Sequence, residues 1–182
     1  MINSGVPIFG EAGVGYIIDK KYHLPPIMFD PDELEAITLG IGMVRNWTDE
    51  QFAARAESAL EKIQAVLPAG RLADMQQLST YSEQSAAKFP WEVSFSEIRE
   101  CIRNRIRNRF EYRDLKDRES ERTIRPLALV FFGPVWLVLG WCEGRQDFRN
   151  FRLDRMAQMI VTGEEFAIEK DKTLEAYLKK AP

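Results

Sequence analysis

Three apolar runs dominate the second half of the chain. Residues 123–132, 135–142 and 148–153 are each rich in β-branched and aromatic side chains. Gly133-Pro134 breaks the first run from the second, because glycine permits a positive φ and proline donates nothing to a sheet ladder. Glu143-Gly144-Arg145 makes the second break. Connections this short leave no room for the crossover a parallel pair needs, so the pattern predicts an antiparallel meander. The middle run is apolar on both alternating faces: Val135, Leu137, Leu139 and Trp141 on one, Trp136, Val138, Gly140 and Cys142 on the other. That predicts a central strand covered on both sides. In the third run Phe151 and Leu153 share a face, Arg152 takes the opposite one, and Arg149 and Arg155 flank it.

Upstream the apolar period lengthens from that of a strand to that of a helix. Asp30, Pro31, Asp32 and Glu33 read as an N-cap, a first-turn proline and an acidic first turn, followed by Leu34, Ile37, Leu39, Ile41 and Val44. Thr48 and Gln51 read as a capping box that opens a second helix, which Pro68-Ala69-Gly70 ends. The two helices form a hairpin whose apolar faces suit packing within or between subunits. A third helix is expected over 96–109, with Ile98, Ile102 and Ile106 on one face. Arg99, Arg103 and Arg107 line another face and read as a solvated surface. A first strand then starts at Phe110, residues 114–121 make a charged turn, 160–168 hold a last strand, and 174–178 lie in a short helix. Near the N-terminus, residues 6–9 and 16–18 surround Gly10, Gly13 and Gly15 and read as a β-hairpin. Those glycines open no helix, so no dinucleotide site is implied.

The element order predicts an α+β fold, a helical region followed by a small Sm-like or SH3-like antiparallel β-barrel. It divides into a hairpin at 1–22, a helical linker or dimerisation region at 23–95, the barrel at 96–168 and a C-terminal helix at 169–182. A chain of 182 residues is long enough for one or two small domains with a real core. Cys101 and Cys142 have no metal-ligand spacing and read as small buried hydrophobes. The only histidine, His23, sits beside Pro25-Pro26 in an exposed loop. With no P-loop, nucleophile elbow or metal cluster, the expectation is no enzyme, no cofactor and no metal. No signal peptide and no run of about 20 apolar residues is present, which predicts a cytoplasmic protein without a membrane span. Charge does change the picture. Residues 99–155 carry 14 Lys and Arg against 9 Asp and Glu, while the rest of the chain carries 11 against 19. The basic part is the candidate anion-binding part.

The stretch GPVWLVLGWCEGRQDFRNFRLDRM at 133–156 resembles the core of the WYL domain of bacterial transcriptional regulators with a DeoR-type winged helix, the YafY-like proteins. IRPLALVFF upstream and FEYRD at 110–114 fit the same pattern. Trp136-Leu137-Val138 stands where the family has Trp-Tyr-Leu, so no tyrosine hydroxyl contact is carried over to Leu137. The resemblance implies a ligand-sensing regulatory domain whose basic surface takes a negatively charged ligand, a nucleotide or single-stranded nucleic acid. It implies that the N-terminal hairpin is the wing of a winged helix, that duplex DNA is read only if the helix-turn-helix is supplied, and that the chain pairs as a homodimer. The residue chemistry agrees. Arg149, Arg152 and Arg155 offer planar forks suited to phosphate, with Asp147 and Asp154 placed to orient them. Tyr112 and Trp136, with Trp141 and Phe148, offer stacking surfaces. Trp136 and Trp141 fall on opposite faces, so at most one of them reaches a ligand. The alternative is a structural dimerisation fragment with no ligand of its own.

Overall fold

A computed structural model describes residues 8–11, 15–18, 29–68, 70 and 91–180. The glycine-rich N-terminal stretch pairs as an antiparallel hairpin of β1 (Ile8–Glu11) and β2 (Gly15–Ile18), with Ile8 opposite Ile18. The expectations for His23 and for residues 71–90 fall outside the described residues.

Helix α1 (Pro31–Trp47) starts where its cap predicts. The Asp30 carboxylate accepts from the Glu33 amide at 2.8 Å, and the Glu33 carboxylate accepts from the Asp30 amide at 2.9 Å. Helix α2 (Glu50–Val66) packs against α1 but is capped by Asp49, not by Thr48. The Asp49 carboxylate accepts from the Phe52 amide at 3.0 Å. The Thr48 hydroxyl is already spent on the previous helix, donating to the Val44 carbonyl at 2.6 Å.

Helix α3 (Phe95–Asn104) is capped by Ser94, whose hydroxyl accepts from the Glu97 amide at 3.1 Å. Ser96, expected to open this helix, is buried inside its first turn. Its amide and hydroxyl both donate to Asp49, each at 2.7 Å. One carboxylate therefore closes the N-terminus of α2 and binds the first turn of α3. Burial pushes the Asp49 carboxyl up, but the hydrogen bonds from Ser96, Phe52 and Ser94 outweigh it and hold it below the ordinary range.

The third helix ends at Asn104, short of the expected 109. Arg105 turns the chain with a left-handed φ of 54°, and β3 (Ile106–Arg113) begins at once. Ile106, which continues the helical spacing of Ile98 and Ile102, thus opens a strand. From there burial alternates: Asn108 and Phe110 are buried, Arg109 and Glu111 exposed. β4 (Glu119–Phe132), β5 (Val135–Cys142), β6 (Asp147–Arg152) and β7 (Met156–Glu165) complete a five-stranded antiparallel sheet in the order β6-β5-β4-β3-β7. The C-terminal helix is α4 (Leu174–Lys180).

The two edge strands of this sheet are consecutive in the chain. A three-residue 3-10 turn, Leu153–Arg155, is all that joins β6 to β7. In a flat sheet the four interstrand steps of about 4.8 Å would put the edges about 19 Å apart. A 3-10 turn advances only about 2 Å per residue. The sheet must therefore curl until its edges approach, and the register shifts between β3 and β7 and at Pro126/Ala128 supply bends. Leu153 sits at the closure with 0% exposure. The strand pairing nonetheless remains open, since no rung joins β6 to β7 among the described residues. The expected Sm-like or SH3-like barrel is thus seen as a curled, open sheet, because the residues that would make the first rungs are spent on the turn.

The core lies inside the curl under α3, where Phe95, Ile98, Phe110, Ile124, Val138 and Phe151 meet. Gly140 is needed at the β4–β5 contact: a Cβ there would lie 2.8 Å from the Arg125 carbonyl oxygen. Cys101 and Cys142 are free and buried. On the opposite face Trp141 packs edge-on against Phe148, and Phe148 against Tyr177 of α4, so β5 is covered on both sides.

Removing the shared cap tests this junction. Asp49→Ala should lower stability by about 1–3 kcal/mol in chemical denaturation at neutral pH. A carboxyl held below its unfolded value stabilises fully above the ordinary carboxylate range and loses that contribution as pH falls through its folded value. The gap between the wild type and Asp49→Asn should therefore shrink on acidification; a gap that widened would contradict the assignment.

Candidate anion-binding site

Alternation along β6 divides the arginines. Phe148, Asn150 and Arg152 share a face with their cross-strand neighbours Trp141, Leu139 and Leu137. Arg149 and Phe151 share the other face with Gly140 and Val138. Arg149 and Arg152 therefore point to opposite sides of the sheet and are not brought together. Arg149 donates to the Asp147 carboxylate at 2.7 Å and to the Phe148 carbonyl at 2.9 Å.

Arg152 is gripped by Asp154 as a fork, Nε to Oδ1 at 3.0 Å and Nη2 to Oδ2 at 2.6 Å. These bonds raise the guanidinium above its ordinary pKa. Its side chain keeps 35% exposure. The Arg152 amide donates to the Tyr112 hydroxyl at 3.4 Å, and the Tyr112 ring stands edge-on to Phe151 at 5.0 Å. Tyr112 reaches this place because β3 pairs with β7, setting it opposite Met156 just after the turn.

Arg155 reaches back to the β3–β4 turn, donating from Nη1 to the Asp114 carbonyl at 2.7 Å. That turn is itself fixed. Hydrogen bonds from the Arg118 side chain and amide, with one from Lys116, hold the Asp114 carboxyl down to about 2. Tyr112, Arg152, Asp154 and Arg155 thus form one cluster at the closure of the curled sheet. Beside it lies a cavity of about 300 Å³ lined by Tyr112, Arg113, Asp154 and Arg155 together with Glu92, Glu111, Asp117 and Glu119. Carboxylates outnumber guanidiniums around that cavity, so the cavity itself does not favour an anion.

Trp136 lies elsewhere, at the seam between the sheet and the helical hairpin. Its ring packs edge-on to Phe95 at 4.8 Å and against Phe131 at 5.1 Å, and its indole N–H donates to the Trp47 carbonyl at the end of α1. It joins elements rather than lining the arginine cluster.

Sequence reasoning missed Arg125. This arginine is buried within an apolar strand, its Nε donating to Glu143 at 2.7 Å and its Nη1 to Glu169. Glu143 also accepts from Arg107 at 3.2 Å, and Lys172 pairs with Glu169. Burial pushes the Glu143 carboxyl up, yet the Arg125 and Arg107 bonds bring it below its ordinary value; Arg125 and Lys172 hold Glu169 at about 2. The visible signal was a single arginine inside an otherwise apolar alternating run. Among the described residues no group of three or more His, Cys, Asp or Glu is placed to hold a metal, and no helix is long and apolar enough to cross a membrane.

Comparison with known proteins covers the stretch that holds the cluster. The family model described as the WYL domain matches residues 93–161. The chain carries a WYL domain. The match takes in α3, β3 to β6, the 3-10 turn and the first part of β7, and with them Tyr112, Trp136, Arg149, Arg152 and Arg155. The helical hairpin lies before it. Among solved structures the chain is similar to the proteasome accessory factor B/C (PafBC) of Arthrobacter aurescens, at 24% identity over 81% of this chain, with a TM-score of 0.40. The chain spans about a fifth of that protein's length, covering 22% of it.

The Arg125 network ties β4 of the WYL domain to the C-terminal segment. Arg125→Ala should cost roughly 1–3 kcal/mol, since it leaves two carboxylates without their shared partner. Thermal denaturation checks this, and an unchanged midpoint would show that the network adds nothing.

Proposed function

We propose that this chain is the ligand-sensing regulatory part of a bacterial transcription regulator, and that its WYL domain binds a negatively charged ligand, a nucleotide or single-stranded nucleic acid. Arg152 is the principal contact, with Tyr112 and Arg155 beside it. The observation that carries this reading is the Arg152–Asp154 fork. A guanidinium has five N–H donors. Asp154 takes one on Nε and one on Nη2, so the Nη1 hydrogens remain for an incoming oxyanion while Asp154 fixes the plane. Tyr112 offers a half-buried ring and a hydroxyl at the same place. On this reading Arg149 contributes field and not contact, because it leaves β6 on the other face. Its role is regulatory rather than catalytic.

The DeoR-type and YafY-like resemblance extends the proposal. The β1–β2 hairpin serves as the wing of a winged helix, Sm-like curvature shapes the sheet, and the protein acts as a homodimer in the cytoplasm. Duplex DNA is read only together with a helix-turn-helix.

Binding of short single strands and nucleotides to the purified chain tests the reading. Arg152→Ala should keep the fold and weaken binding by roughly 1.5–3 kcal/mol, the loss of a charge-assisted hydrogen bond. Arg152→Lys should recover only part, because charge stays while the fork is lost. Affinity should fall steeply with salt. Equal binding by Arg152→Ala to every anionic ligand tried would overturn the Arg152 assignment, and no binding by the wild type would leave the structural-fragment alternative standing.

A further inference from the structure

A second set of arginines differs in kind from those on β6. Arg149 and Arg152 are engaged by neighbouring carboxylates and Arg155 by backbone carbonyls. Arg55 of α2 and Arg99 and Arg103 of α3 line one cleft of about 310 Å³ between the two helices, with Gln51, Phe52 and Glu100. Among the described residues, none of these three arginines has a carboxylate within ion-pair distance. Glu100 is the one acidic side chain in the lining and pairs with none of them. The nearby Asp49 is consumed by the hydrogen bonds from Ser96, Ser94 and Phe52.

Folding alone does not ask for this arrangement. Arg99 and Arg103 are four residues apart on one helix face, where like charges repel. Arg55 is brought up to them from a different helix, adding to the repulsion. Arg99 is also fixed in place, its guanidinium carbon 3.7 Å from the centre of the Phe52 ring. Phe52 in turn stacks on Phe95 at 5.7 Å, which anchors it to the core. The result is a preorganised planar donor with two exposed cations beside it, in a cleft whose aromatic ring is already engaged.

We propose that the α2–α3 cleft is a phosphate-binding site, separate from the Arg152 cluster. Three guanidiniums suit an oxyanion with several acceptor oxygens and a double negative charge. A ring already covered by Arg99 gives a base nothing to stack on, so the cleft takes phosphate groups without reading sequence. Arg55 lies outside the WYL match while Arg99 and Arg103 lie within it, so occupancy fastens the helical hairpin to the WYL domain beside their Asp49 junction. The phosphate belongs to a free nucleotide or to a nucleic-acid strand, which share this chemistry.

Calorimetric titration of the full chain with inorganic pyrophosphate at low salt tests the site. The wild type should bind, and the double variant Arg55→Gln/Arg103→Gln should bind about tenfold or more weakly. Both positions are exposed, so the fold should persist, and relief of repulsion should leave the ligand-free variant melting at or above the wild-type temperature. Arg99→Lys should give an intermediate loss, keeping charge but not the stacked plane. Whether or not Arg152→Ala removes a second binding event, it should keep the event that the double variant loses, which separates this site from the β6 cluster. A parallel titration with a short oligothymidylate assigns the source: loss of both ligands in the double variant indicates strand phosphates, loss of pyrophosphate alone indicates a free nucleotide. Failure of the wild type to bind pyrophosphate, or equal affinity in the double variant, overturns the proposal.

Discussion

The three-residue link between the sheet's two edges is the constraint from which the rest follows. A chain that leaves β6 and enters β7 through Leu153–Arg155 cannot lie on a flat sheet. The sheet has to curl, and the curl makes an interior that Leu153 seals and α3 roofs. The same turn sets the chemistry. It brings Asp154 back onto Arg152, directs Arg155 to the β3–β4 turn, and places both beside Tyr112, which belongs to a strand more than three dozen residues earlier. The link between the sheet's edges and the candidate site are therefore one feature.

A second constraint joins this domain to the helices before it. Asp49 answers the unpaired amides of two helix starts at once, so α2 and α3 meet at their N-terminal ends. Trp136 makes the matching attachment at the other side, giving its indole hydrogen to the last carbonyl of α1. The arginines sort by the same geometry. Arg149, Arg152 and Arg155 find carboxylates or carbonyls, while among the described residues the three in the α2–α3 cleft have no carboxylate within ion-pair distance.

Much of this was legible in the sequence. Alternation predicted the meander, the two-sided cover of β5, and the outward direction of Arg152 opposite Phe151 and Leu153. The same alternation separates Arg149 from Arg152, a consequence obscured by their even spacing. Other features were decided by distant partners. Thr48 and Asp49 are both good caps, and only Ser96, 47 residues on, selects Asp49 for both helices. Ile106 satisfies the helical period and the strand period equally, and the left-handed turn at Arg105 settles the matter. The partners of Arg125 lie 18 and 44 residues away, beyond any local pattern. A closed barrel was expected from the order of the elements, whereas the sheet stays open between β6 and β7, the two edges that one short turn joins.

The central claim is that an anionic ligand meets the chain at the turn that joins the sheet's two edges. Nitrogen-15 NMR of the arginine Nε–H groups during titration with a short oligothymidylate addresses it directly. The account predicts saturable shifts of the Arg152 and Arg155 resonances together with the Tyr112 ring signals, and none at Arg149. Saturable binding that leaves Arg152 and Tyr112 unmoved would contradict it.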